Sequence, residues 1–104
     1  MEKIVNLMSR DLFFKVKFGK IRFPGKENGA ELVEVRERVD QFNGIPVNKV
    51  SVEVRNLPDP QDDTAYIVTP SIARRYKERR DLYVPDEVIA EDEETIGCKA
   101  LTQL

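Results

Sequence analysis

The chain has no histidine, no tryptophan and a single cysteine, Cys98. Without an imidazole, the Ser-His-Asp and Cys-His mechanisms lose the base that takes the nucleophile's proton near neutral pH. A zinc centre of the usual kind needs three or four imidazole or thiolate ligands, which one cysteine does not supply. No P-loop, no Gly-x-Gly-x-x-Gly run and no His-Glu-x-x-His pattern occurs. The lone cysteine makes no internal disulfide, so a reducing compartment is the default expectation. No apolar stretch approaches the ~20 residues that span a bilayer, so no membrane partner is expected. Met1 to Asp11 lacks the apolar core of a signal peptide, so a cleaved leader is not expected either. Carboxylate or lysine chemistry remains open, but no convincing residue set for it stands out, and the expectation is a protein that is not an enzyme.

What is present fits one modest core. The 104 residues are 40% apolar and 35% charged, with 17 Lys and Arg against 19 Asp and Glu, a net charge of -2. That length suits a single domain over 1–104, and the charge implies a large solvated face. In Leu12-Phe13-Phe14-Lys15-Val16-Lys17-Phe18, apolar Phe14, Val16 and Phe18 alternate with lysines, the period of a half-buried strand. A Gly19-Lys20 turn predicts a hairpin that sets Phe18 beside Ile21 and Val16 beside Phe23, with Lys17 opposite Arg22. Leu32 to Val39 reads as a strand, and Asn43-Gly44 as a turn into Ile45 to Arg55, whose Val50, Val52 and Val54 share a face.

Ala65 to Val68 reads as a short buried strand. Thr69-Pro70 then reads as a helix start, with Thr69 as the cap and Pro70 at the first helical position. The helix is expected over residues 70–80, burying Ile72, Ala73 and Tyr76, with the basic residues outward. Asp81 to Pro85 follows as a parallel neighbour of the first strand. Val88 to Ala90, an acidic turn at Glu91 to Glu94, and a closing strand over Thr95 to Leu101 complete the pattern. The expected fold is α+β: one mixed, mostly antiparallel sheet of about five to seven strands carrying a single short helix in a strand-helix-strand unit.

Two basic groups are candidate binding sites. Arg74, Arg75, Lys77, Arg79 and Arg80 place five cations in seven residues, a set able to grip phosphates beside Tyr76 or Tyr83. At 100° per residue they spread around a helix, and a solvated helix face is the stronger reading. Lys15, Lys17 and Arg22 would share a hairpin face suited to nucleic acid or an acidic surface; lysines that protect a sheet edge are the stronger reading. Asp59, Asp62 and Asp63 offer oxygen ligands, but the loop lacks the glycine and terminal glutamate of an EF-hand and reads as a turn. No metal and no cofactor is expected. Cys98 beside Lys99 reads as a core cysteine in preference to an activated thiol.

Several blocks occur together in order: Asn56-Leu57-Pro58-Asp59-Pro60, Ala65-Tyr66-Ile67-Val68-Thr69, Arg79-Arg80-Asp81 with Pro85, and Ile96-Gly97-Cys98-Lys99-Ala100-Leu101. With Asn6-Leu7 and Phe23-Pro24-Gly25 as earlier counterparts, the chain resembles a group of small proteins encoded by bacteriophages, prophages and mobile elements. It departs from them in two places. Thr69 stands where that group has serine, and Glu91 to Glu94 where it has a glycine-bearing turn. The resemblance implies an accessory role in the cytoplasm of a bacterial host cell; together with the lack of usable catalytic groups, it makes binding, with a host protein as the partner, the leading expectation. Nucleic acid or a nucleotide, held by the two basic groups, is the alternative. The resemblance supplies no reaction and no ligand, and the sequence leaves the oligomeric state open.

Overall fold

Eight strands and one short helix follow one another along residues 2–104, which a computed structural model of the chain describes. They are β1 (Lys3–Asn6), β2 (Asp11–Val16), β3 (Gly19–Phe23), β4 (Glu31–Phe42), β5 (Ile45–Arg55), β6 (Thr64–Ile67), α1 (Pro70–Arg75), β7 (Leu82–Glu91) and β8 (Thr95–Thr102). Six strands form one sheet in the order β1-β6-β7-β8-β2-β3, while β4 and β5 pair only with each other. The fold is mostly β with one short helix, the α+β class expected. Its long pairings, β4 with β5 and β7 with β8, are antiparallel. The parallel ones are short: β1 with β6, β6 with β7, and β2 with β8.

The strand-helix-strand unit sits where its residue pattern placed it. All four residues of β6 are buried, as expected of a strand covered on both faces. Tyr66 and Val68 enter one cluster with Leu7, Ile72, Ala73, Leu82 and Val84. Ile67, pointing the other way, joins Leu12, Phe14, Ile96 and Cys98. β7 runs parallel to β6 through Tyr66↔Leu82 and Ile67↔Tyr83, then continues as one strand to Glu91. The expected break at Pro85 does not occur. By Pro85, β7 has left β6 and pairs with β8 alone, so the missing N–H of proline disrupts no ladder.

Two features of α1 differ from expectation. The helix stops at Arg75 instead of Arg80, with Tyr76 at φ -129° and ψ 50°. Arg79 turns back through a backbone bond to the Tyr76 carbonyl, which brings its guanidinium onto Asp81. That ion pair holds the chain out of helical geometry. Thr69 also makes no side-chain cap. Its carbonyl accepts from the Ile72 and Ala73 amides, and Pro70 removes one amide that would otherwise need a partner.

The first hairpin is real, but its turn sits two residues earlier and its register shifts by four. Val16 pairs with Gly19, Phe14 with Ile21 and Leu12 with Phe23, so the turn is Lys17-Phe18 and Phe18 is 92% exposed at its tip. Lys15 therefore faces Lys20, and Arg22 faces Phe13, whereas Lys17 opposite Arg22 was expected. The anchor lies at the other end. Leu12 is fully buried and paired in parallel with Ile96, and the Asp11 carboxylate accepts from the Gly25 amide at 2.7 Å and from Arg22 at 2.8 Å. The expected register would drag Phe23 past this anchor. The slide is even, so Phe14, Val16, Ile21 and Phe23 still share a face.

β1 has no counterpart in the sequence reading, and buried Asn6 at its end explains how the chain turns there. Its Nδ2 donates to the carbonyls of Arg10, Phe23 and Pro24, and its Oδ1 accepts from the Met8 amide at 2.9 Å. One side chain thus ties the β1–β2 connection to the end of β3. Nearby, β2 and β8 approach closely enough that a Cβ on Gly97 would collide with the Phe13 ring.

Candidate functional site

The two longest strands of the molecule do not join the main sheet. β4 and β5 form a ribbon closed by Asn43 at φ 49° and Gly44 at φ 83°, the mirror-image turn that matches strand twist. Its base is held by Val54 and Ala30 against the cluster around Tyr66, and by Arg75 Nη2 donating to the Val52 carbonyl at 3.2 Å. The rest stands out from the body, and the whole chain measures 66 × 32 × 22 Å.

The expectation that these strands belong to a single sheet is thereby corrected, and the register gives the reason. Val50 pairs with Arg36 and Val52 with Glu34, while Val33 and Val35, facing the other side, pair with Glu53 and Ser51. Valines and charges are mixed on both faces of the ribbon. Neither face buries in a core without taking ions with it. At the far end the mixture gives way to apolar residues. Phe42 and Ile45 form a cross-strand pair and are 65% and 67% exposed, with exposed Val39 in a bulge beside them. Val47 and Asp40 extend the face of Phe42 and Ile45 by one pair, which places the Asp40 carboxylate in the adjoining pair on that face.

A second apolar feature lies on the body. Phe14, Val16, Ile21 and Phe23 of the first hairpin face Ile4 of β1 and Leu101 of β8 across a groove of about 240 Å³, with Lys99 beside it. Because β1 and β3 are the two edges of the six-stranded sheet, their sharing one groove means that the sheet curls toward a half-barrel whose mouth stays open. Phe14 and Phe23 meet edge to face at 5.7 Å on its floor.

The basic residues singled out from sequence do not converge on one surface. Arg79 forms a two-bond ion pair with Asp81, Nε to Oδ1 at 3.0 Å and Nη2 to Oδ2 at 2.7 Å, with side chains only 13% and 7% exposed. The Asp81 bond raises the Arg79 pKa further above its ordinary value. Arg75 is engaged with the ribbon base, and the Arg80 carbonyl accepts from Gln103. Arg74, Lys77 and Arg80 are exposed on the short helix and the loop after it. Lys15 and Arg22 share the outer face of the hairpin, Lys17 has moved into its turn, and Arg22 is paired with Asp11. The hairpin lies at the far edge of the sheet from the helix connection.

The remaining candidates have structural roles. Burial pushes the Cys98 thiol above its ordinary range, opposite to the activation that Lys99 would bring, and its Sγ lies 3.8 Å from the Phe13 carbonyl oxygen. Asp63, at φ 56°, accepts the Lys3 amide through its carbonyl, as a loop residue would. Among the described residues no group of three acidic or cysteine side chains is placed to hold a metal ion. In the acidic turn, Asp92 Oδ1 accepts from the Glu94 and Thr95 amides, which lowers its pKa, and Glu91 pairs with Arg10.

Sequence reasoning named the strands of the ribbon but not their exposure. The only signal available was the number of charges interleaved with the valines of Glu31 to Val39. Among the described residues, no helix is long and apolar enough to cross a membrane. Compared with known proteins, the chain matches no family model, no curated protein and no solved structure.

Proposed function

We propose that this protein acts by binding another protein, and that the end of the β4–β5 ribbon is the contact element. The observation that carries this reading is the exposure of Phe42 and Ile45 at the end of an arm that buries none of its residues. Isolated two-stranded ribbons are marginal in water and their free edges invite pairing, so an arm of this length is best stabilised by a partner. An exposed aromatic with a β-branched neighbour is the kind of anchor that seats in a pocket on another protein. The resemblance to phage-encoded accessory proteins makes a bacterial host protein the partner to seek, within the host cytoplasm.

Nucleic acid fits this surface less well. The arm carries five acidic and four basic residues over 31–55, so it offers phosphates no net attraction. The basic candidates are divided between two elements, and Arg75, Arg79 and Arg22 already have partners within the chain.

The test is capture from host lysate by the wild-type protein and by a Phe42→Asp/Ile45→Asp variant. One retained protein that the variant loses is the expected result. Equal capture by both, or no capture in repeated trials, contradicts the reading, as does salt-sensitive nucleic-acid binding abolished by Arg74→Ala/Lys77→Ala.

A further inference from the structure

Besides Phe18 at the tip of the first hairpin, the described residues carry a second, two-residue apolar projection and an apolar recess. The projection is the Phe42–Ile45 end of the arm. The recess is the half-barrel groove of about 240 Å³ between Ile4, Val16, Ile21 and Leu101, floored by Phe14 and Phe23. A groove of that size holds one aromatic side chain with part of an aliphatic neighbour. The charges next to the two features are opposite: Asp40 in the pair adjoining Phe42 and Ile45 on their face, and Lys99 on the groove. The groove is lined by β1, β2, β3 and β8 and by no residue of the arm, so the arm end is free to meet a groove on another molecule.

We propose that the arm end of one copy of this chain docks in the half-barrel groove of a second copy, with Phe42 seated against Phe14 and Phe23 and Asp40 set toward Lys99. This rests on the arm end being the contact element, and it names the first surface that element meets. A host target then competes with the groove for the same end. The contact is heterologous, since tip meets groove. Two copies therefore close it by exchanging arms, or successive copies extend it as a chain. It also shelters the apolar mouth of the half-barrel, where Ile4, Val16 and Ile21 are exposed.

Sedimentation equilibrium over the micromolar to sub-millimolar range tests this with three proteins: wild type, the arm-end variant Phe42→Asp/Ile45→Asp, and the groove variant Ile21→Glu. All altered positions are solvent-exposed, and circular dichroism confirms that each variant folds. The wild type is expected to exceed the monomer mass, and each variant alone to remain monomeric. An equimolar mixture of the two variants is expected to regain a two-chain complex, because it still offers one intact arm end and one intact groove. A wild type that stays monomeric throughout overturns the inference, as does self-association untouched by Ile21→Glu or a mixture that fails to associate. If the wild type is monomeric but the arm-end variant still loses a captured partner, the inference falls and the reading of the arm stands. If the arm-end variant alters neither result, both fall.

Discussion

The six-stranded body and the β4–β5 arm are built from the same alternation of apolar and charged residues, yet they have opposite fates. In the body, Leu12, Ile67, Val68, Ile72 and Cys98 are fully buried; in the arm no residue from Glu31 to Arg55 is buried. The difference lies in what stands across the strand. Body pairings such as Leu12↔Ile96 and Phe14↔Ile21 put apolar against apolar. Arm pairings such as Val50↔Arg36 and Val33↔Glu53 put apolar against charge. Period-two alternation tells which residues of one strand share a face. Whether that face is buried depends on the partner strand, and therefore on register.

Substitutions in the body break this comparison most severely. Ile72→Ala is expected to cost about 2–4 kcal/mol in denaturant unfolding, the usual penalty for emptying a packed site. Arg79→Ala should cost about 3 kcal/mol, because it strands Asp81 in a site where that side chain is only 7% exposed. Arg75→Ala, on the same connection but exposed, should change stability by under about 0.5 kcal/mol. If Arg79→Ala is as mild as Arg75→Ala, the loop after the helix is not held by that ion pair. Asn6→Ala should fall between these, at about 2 kcal/mol, since it leaves three carbonyls and one amide without their partner.

The body was legible where a single segment decided its own surroundings. Ala65 to Val68, the Pro70 helix start and Leu82 to Val84 are local signals, and the structure keeps all three. The slide of the first hairpin was not legible, because it is imposed by Asp11 and Leu12 gripping β8 and Gly25 far along the chain. The end of α1 at Arg75 likewise depends on Asp81, which looked in sequence like the start of a strand. The exposed end of the arm was hidden for the same reason. Phe42 and Ile45 flank a turn signal, and nothing in either segment shows that no other strand covers them.

Acid should sharpen the contrast from the body's side. Asp11 is held below its ordinary pKa by the Gly25 amide and then Arg22, Asp86 by the Thr102 hydroxyl and then the Glu87 amide, and Asp92 by the Glu94 and Thr95 amides. Groups depressed in the folded state add stability that is fully present above the ordinary carboxylate pKa of about 3.9 and is lost as pH falls through their folded values. Thermal melts should therefore hold steady down to about pH 4 and decline below it. Asp11→Asn should make that decline shallower. A decline beginning near neutrality would contradict the assignment. The smallest effect belongs to the arm: Phe42→Ser should leave the melting temperature of the monomer within about 3 °C of wild type, as exposed positions do.

Native-state amide hydrogen exchange on the dilute monomer tests most directly whether the arm stands apart from the body. The amides of Arg36 to Arg38 and Lys49 to Ser51 are expected to exchange by local opening, at rates well above those of Tyr66 to Val68 and Leu82 to Val84. Raising the denaturant should speed the body amides alone. Arm amides protected as strongly as those of β6, and opening with them in one step, would show that the ribbon is part of the core and contradict its role as a separate docking element.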